Sequence, residues 1–152
     1  MKARLNYSKI SPEAIKGLFE LEMYAAQSEL ERSLYLLIKT RASQINGCAY
    51  CIDMHTKDAR KEGETEQRLY GLNAWREAPY YSNRERAALA WTEALTLISE
   101  NGVSDELYEA TREYFTEKEI IDLTMGIAAI NAWNRLIISF RALPDMPQPD
   151  ED

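Results

Sequence analysis

The sequence predicts an all-α protein, a single-domain bundle of about seven helices. Three observations predict it. No segment sustains the period-two alternation of a half-buried strand between turn signals. Helix-start signatures recur: Ser11-Pro12-Glu13, and the capping boxes Ser82–Glu85 and Thr116–Glu119. Apolar residues then return at three- and four-residue spacing behind these starts. The 152 residues have the composition of an ordinary globule and suit one domain, residues 1–143, with no internal repeat.

Residues 1–10 are mixed in character and read as a packed arm. Ser11 caps a helix running to about Gln27, with Leu18, Leu21 and Ala25 as its stripe and Phe19 beside it. A second helix runs from about Glu29 to Gln44 on Leu30, Leu34, Leu37 and Ile38, with Arg41 at the end of the stripe. Asn46-Gly47 is a turn pair and starts a third helix, which stops at Gly63. Thr65 opens a short helix through Leu69, Leu72, Trp75 and Arg76, closed by Pro79. The first capping box opens a helix through Ala87, Trp91, Leu95 and Ile98 that Asn101-Gly102 ends. Ser104 starts another, through Leu107, Ala110 and Tyr114. The second capping box opens the longest helix, to Phe140. The tail 144–152, rich in proline and acid, reads as disordered.

The Leu123–Phe140 stretch is apolar in nearly every direction. Arg135, Asn131 and Asn134 argue against a membrane span, because an arginine at the bilayer centre costs about 3 kcal/mol or more. A helix of this kind is expected at the centre of the fold, at a subunit interface, or both, with a carboxylate partner for Arg135. The net charge of −7 argues against nucleic acid and anionic membranes as partners, since both need basic patches. Two close cysteines without a basic-then-apolar leader point to the cytoplasm, where Cys-x-x-Cys is more often catalytic or metal-binding than structural.

Both cysteines and the single histidine lie in Asn46–His55, as Cys48-x-x-Cys51-x-x-x-His55. On a helix, these positions share one face, with Cys51 and His55 one turn apart. Two thiols at this spacing can form a disulfide without large backbone movement, and an imidazole one turn away can take a thiol proton. Three other readings use the same residues. Accidental core residues would have to gather all the soft titratable groups within eight positions. A structural zinc site needs a fourth ligand, and since no other Cys or His exists, an Asp, a Glu or a water would have to fill in. A permanent structural disulfide would close a very small loop and stabilise little. The order of attack stays open: Cys48 in the first helical turn gains from backbone N–H groups and the helix dipole, and Cys51 gains from contact with His55.

The motif, preceded by Arg41-Ala-Ser-Gln-Ile-Asn-Gly, resembles the core of the alkylhydroperoxidase AhpD-like proteins of the carboxymuconolactone decarboxylase superfamily. Asp53-Met-His-Thr, Gly63–Leu69, Glu85–Leu95 and Asn131-Ala-Trp-Asn-Arg fit the same branch, and the likeness runs from about Leu5 to Arg141. The resemblance implies an all-helical trimer or hexamer. It implies reduction of a peroxide substrate by the cysteine pair, which a thiol reductant or disulfide-reducing protein then restores, with no cofactor and no metal. By resemblance, Cys51 matches the peroxidatic thiol, Cys48 the resolving thiol and His55 the proton-relay histidine.

The chain departs from that pattern at two places. Leu36 stands where the alkylhydroperoxidase has a glutamate, and Tyr50 where it has a second histidine. Glu93 is the candidate replacement. With no cation one turn away, it is expected partly buried, facing the motif, with a raised pKa. Tyr50 is a candidate hydrogen-bond donor to substrate. The leading function is therefore a thiol-dependent peroxidase. The alternatives are a lyase of aromatic catabolism, whose naming members typically lack the cysteine pair, and a non-enzymatic redox or metal sensor.

Overall fold

The structure is a computed structural model and describes residues 2–144. Among the described residues there are nine α-helices, one 3-10 turn and no strand, so the class is as expected and the helix number higher. In order they are α1 (Tyr7–Ile10), α2 (Pro12–Ala26), α3 (Arg32–Asn46), α4 (Ala49–Lys61), α5 (Glu66–Tyr70), a 3-10 turn (Leu72–Ala74), α6 (Asn83–Thr96), α7 (Ile98–Asn101), α8 (Asp105–Arg112) and α9 (Glu117–Phe140).

The extra helices have local causes. The Asn6 side chain accepts from the Lys9 N–H and curls part of the arm into α1. The helix expected through Ile98 breaks at Leu97, giving α6 and α7. The helix expected from Thr65 to Arg76 ends at Tyr70 and continues only as the 3-10 turn. Both capping boxes are formed, at Ser82–Glu85 and Thr116–Glu119. The tail read as disordered lies, beyond Pro144, outside the described residues.

The most enclosed helix is α3, where every residue from Leu34 to Thr40 is buried. It packs against α4, α6 and α9. One core cluster joins Tyr35 and Ile38 of α3 to Trp91 of α6 and Leu123 and Ile127 of α9. A second joins Leu36 and Leu37 to Leu72, Trp75 and Leu89. Where α9 crosses α3, a Cβ on Gly126 would stand 3.0 Å from Cε2 of Tyr35, so glycine allows the approach.

The long helix α9 is not the enclosed centre. Ile121 is 56% exposed and Ile138 43% exposed. Arg135 is exposed too, so it needs no carboxylate. It donates instead to the Asn131 backbone and side-chain oxygens at 2.9 and 3.0 Å. Among the described residues, no helix is long and apolar enough to cross a membrane.

Buried and half-buried amides tie the motif to α9. Asn46 at the end of α3 donates to Oδ1 of Asn134 at 2.8 Å and of Asn131 at 3.0 Å. Asn134, fully buried, donates to Ser43 at 3.2 Å. Such a network is costly when broken at Asn134, because that amide is fully buried and water cannot replace its partners.

Candidate active site

The chain turns from α3 into α4 in two residues. Gly47 ends α3 in the left-handed region, φ 68°, which glycine adopts without strain. Asn46 therefore closes α3 instead of opening α4, because its backbone is still helical and the reversal falls at Gly47. Cys48 is then the N-cap of α4, one step before the first turn expected for it. Its Sγ accepts from the Cys51 N–H at 3.4 Å. Cys48 and Cys51 form a disulfide, with Cα atoms 5.3 Å apart, inside the ordinary bridging range.

The Cys51–His55 face of α4 points inward. Cys48, Cys51 and His55 are 1%, 0% and 3% exposed. The sulfurs pack on Ile130 and Ile137 of α9 and Ala42 of α3. A cavity of about 240 Å³ opens onto Cys51 and His55, but not onto Cys48. Tyr50 borders it beside Cys51, and Phe19 and Trp133 stand edge to face at its wall, ring centroids 5.1 Å apart. A larger and more open groove of about 810 Å³, between α4 and α5, includes neither cysteine nor the histidine. The smaller cavity is the one in contact with the chemistry.

Both ring nitrogens of His55 are buried without a hydrogen-bond partner. Burial, then the positive charges of Lys39 and Arg32, push the imidazole pKa from 6.5 down to about 3. The ring is neutral at neutral pH, so one nitrogen is an acceptor and the other a donor.

The structure does not bring Glu93 to the motif. Its Oε1 takes Arg41 Nη2 at 2.8 Å and Trp75 Nε1 at 2.8 Å, and its Oε2 takes Arg76. Burial would raise its pKa. The hydrogen bonds from Trp75, Arg76 and Arg41 outweigh burial and hold the carboxyl below its ordinary range. The expected raised carboxyl is thus corrected to a strongly partnered anion. Its cations come from α3 and from the segment after the 3-10 turn, which neighbour spacing along α6 cannot reveal. Leu36 is 1% exposed and packed in the second core cluster, so the position of the family glutamate carries packing alone.

Two charged residues missed by sequence reasoning line the cavity instead: Glu22 of α2 and Lys39 of α3. Oε1 of Glu22 accepts from Tyr35 Oη at 2.9 Å and from Lys39 Nζ, while Oε2 is buried without a partner. Burial, partly offset by Glu22, lowers the Lys39 pKa, and burial followed by the Glu22 charge raises that of Tyr35. The signal was present. Glu22 falls at helical spacing among Leu18, Leu21 and Ala25, and Lys39 interrupts an apolar run one turn after Tyr35. Among the described residues, no group of three or more His, Cys, Asp or Glu converges as a metal site.

The model of the carboxymuconolactone decarboxylase family matches residues 12–94. The Bacillus subtilis (strain 168) uncharacterized protein YdfG is 50% identical over 139 residues, covering 91% of this chain and 95% of that protein. An Agrobacterium tumefaciens protein of unknown function, carrying the antioxidant-defence name AhpD, superposes with a TM-score of 0.93 and 46% identity over 96% of this chain and all of that one. The debrominase Bmp8 shares the fold, with a TM-score of 0.79 and 20% identity over 90% of this chain and 74% of its own.

Proposed function

The chain belongs to the carboxymuconolactone decarboxylase family, and from that premise we propose that it is a thiol-dependent peroxidase of the AhpD-like branch. The observation that carries this reading is the asymmetry of the cysteine pair. Cys51 and His55 border the cavity, and Cys48 stands behind it at the helix cap. The reactive thiol must meet the oxidant, and the resolving thiol must only reach the reactive one.

In the reduced protein, the Cys51 thiol gives its proton toward the free nitrogen of His55. The thiolate attacks the distal oxygen of a hydroperoxide. The O–O bond breaks, the sulfur is oxidised to a sulfenic acid, and the departing alkoxide or hydroxide takes a proton to leave as alcohol or water. The Cys48 thiol then displaces water from the sulfenic acid and closes the disulfide. Tyr50, at the edge of the cavity, offers a hydroxyl to the peroxide. A small thiol or a disulfide-reducing protein restores both thiols in a reducing, cytoplasmic setting.

The same reading includes self-assembly as a trimer or hexamer. Copies of the chain would cover the apolar side chains left open on α9 and α2, such as Ile121, Ile138 and Met23.

The test is peroxide consumption by the reduced protein with candidate thiol reductants. The expected result is catalytic turnover, with a loss of two hydrogens in the peroxide-treated protein that dithiothreitol reverses. Two unreacted thiols in excess peroxide would overturn the proposal.

A further inference from the structure

His55 faces a difficulty as a proton acceptor. Burial and two nearby cations, Lys39 and Arg32, oppose an imidazolium. A neutral imidazole can still pass a proton on if it receives one at one nitrogen while releasing the other to a second acceptor. The ring then changes tautomer and never carries charge.

The cavity holds one group able to be that acceptor. Tyr7, Tyr50 and Ser8 contribute hydroxyls, which do not keep an added proton. Glu22 is the single carboxylate bordering the cavity among the described residues. Its Oε1 is taken by Tyr35 and Lys39, and its Oε2 is buried and unpartnered, as are both nitrogens of His55. No direct Glu22–His55 hydrogen bond exists. A molecule joining them must donate to a carboxylate oxygen and accept from an imidazole N–H at once. A hydroxyl does both, whether from water or from the O–H of a hydroperoxide.

We propose that Glu22 completes the relay from Cys51 through His55, receiving the thiol proton at Oε2 across a bridging hydroxyl in the cavity. In that step the S–H bond of Cys51 breaks and an N–H bond forms on His55. The N–H on the other nitrogen breaks and, through the hydroxyl, an O–H bond forms on Glu22. The negative charge moves from Glu22 to the Cys51 sulfur, and Lys39 borders the same cavity, so the buried charge is unchanged in sum. After the thiolate attacks, the proton returns along the same path to the alkoxide. The titratable and charged groups around this path are Tyr7 of α1, Glu22 of α2, and Arg32, Tyr35 and Lys39 of α3. Tyr50 and Asp58 stand on α4, and the α9 wall of the cavity is Ile130, Trp133 and Ile137.

The inference rests on the peroxidase reading for the oxidant, but not for the path of the proton. It is tested in the reduced Cys48→Ser protein, which keeps one thiol. Thiolate formation is titrated by ultraviolet absorbance, and oxidation is timed with hydrogen peroxide and tert-butyl hydroperoxide across pH. Glu22→Gln keeps the Oε1 acceptor but cannot take a proton. It is expected to move thiolate formation to higher pH and to slow oxidation about a hundredfold, and Glu22→Asp is expected to recover at least about a tenth of the rate. If Glu22→Gln does not fold because Lys39 lacks its partner, Glu22→Gln with Lys39→Met supplies a neutral pair, with the same expectation. A Gln variant within about threefold of the parent, with an unchanged thiolate titration, overturns the proposal. Should neither peroxide react with the parent, the peroxidase reading falls and the thiolate titration alone decides the role of Glu22.

Discussion

Replacing Glu93 separates a structural carboxylate from a proton-handling one. Glu93→Ala removes the acceptor shared by Arg41, Trp75 and Arg76. The Arg41 and Glu93 side chains are 15% and 14% exposed, so Arg41 is left mostly buried without a counter-charge, a loss of about 3 kcal/mol at the low end for a broken buried pair. The orphaned indole N–H of Trp75 adds about 1 kcal/mol. Arg76 is 61% exposed, and its pairing adds little, because water screens it. The terms overlap, so the expected loss is about 3–4 kcal/mol, a fall in Tm of roughly 10 °C for a domain of this size. Glu93→Gln keeps the shape and one acceptor oxygen and should lose about half as much. Calorimetric unfolding and the rate of peroxide-driven thiol oxidation, measured on the same folded samples, form the assay. The folded variants should oxidise within a few-fold of the parent. An unchanged Tm together with oxidation slowed more than about tenfold would refute this account and return Glu93 to the proton path.

The folded His55 pKa of about 3 lies below the ordinary 6.5, so as the pH falls the unfolded chain takes the proton first. The contribution of His55 to stability is whole above about pH 6.5 and shrinks toward pH 3, with a slope approaching ~1.4 kcal/mol per pH unit. Carboxylates titrate in the same window, so the check is the difference between parent and His55→Asn in denaturant melts at several pH values. Asn134→Ala should cost about 2 kcal/mol in the same melts, because it removes two hydrogen bonds, from Asn46 and to Ser43, while Asn46 keeps Asn131 and Ser43 keeps the Lys39 carbonyl. Ile138→Asp, at an exposed position of α9, should lower the assembly state in light scattering without lowering the helix content of the protomer. A parent that is monomeric at micromolar concentration would contradict the assembly.

What was legible in the sequence depended on range. Features that act within one turn of chain were readable: the two capping boxes, the proline start of α2, and the shared face of Cys48, Cys51 and His55. Local signals also placed breaks near Gly63 and Gly102, both of which have positive φ. Features that depend on contacts between helices were not readable. The partners of Glu93 lie seventeen and more residues away along the chain, and the bond of Lys39 to Glu22 joins α3 to α2. The degree of enclosure was also misassigned. The sequence of α9 is the more apolar, yet α3 is the more enclosed, because α4, α6 and α9 all pack on it and bury every residue from Leu34 to Thr40. A glutamate in the stripe of α2 and a lysine in the apolar run of α3 were the two readable hints of the polar end of the cavity, and each gains meaning only when the two helices meet.

The central claim is that Cys51, not the helix-capping Cys48, meets the oxidant. Treating reduced Cys48→Ser and Cys51→Ser proteins with peroxide in the presence of dimedone, followed by mass spectrometry of the modified peptide, tests it most directly. The account predicts rapid accumulation of a trapped sulfenic acid on Cys51 in Cys48→Ser, and little reaction of Cys48 in Cys51→Ser. Rapid trapping on Cys48, with Cys51 unreactive, would contradict it.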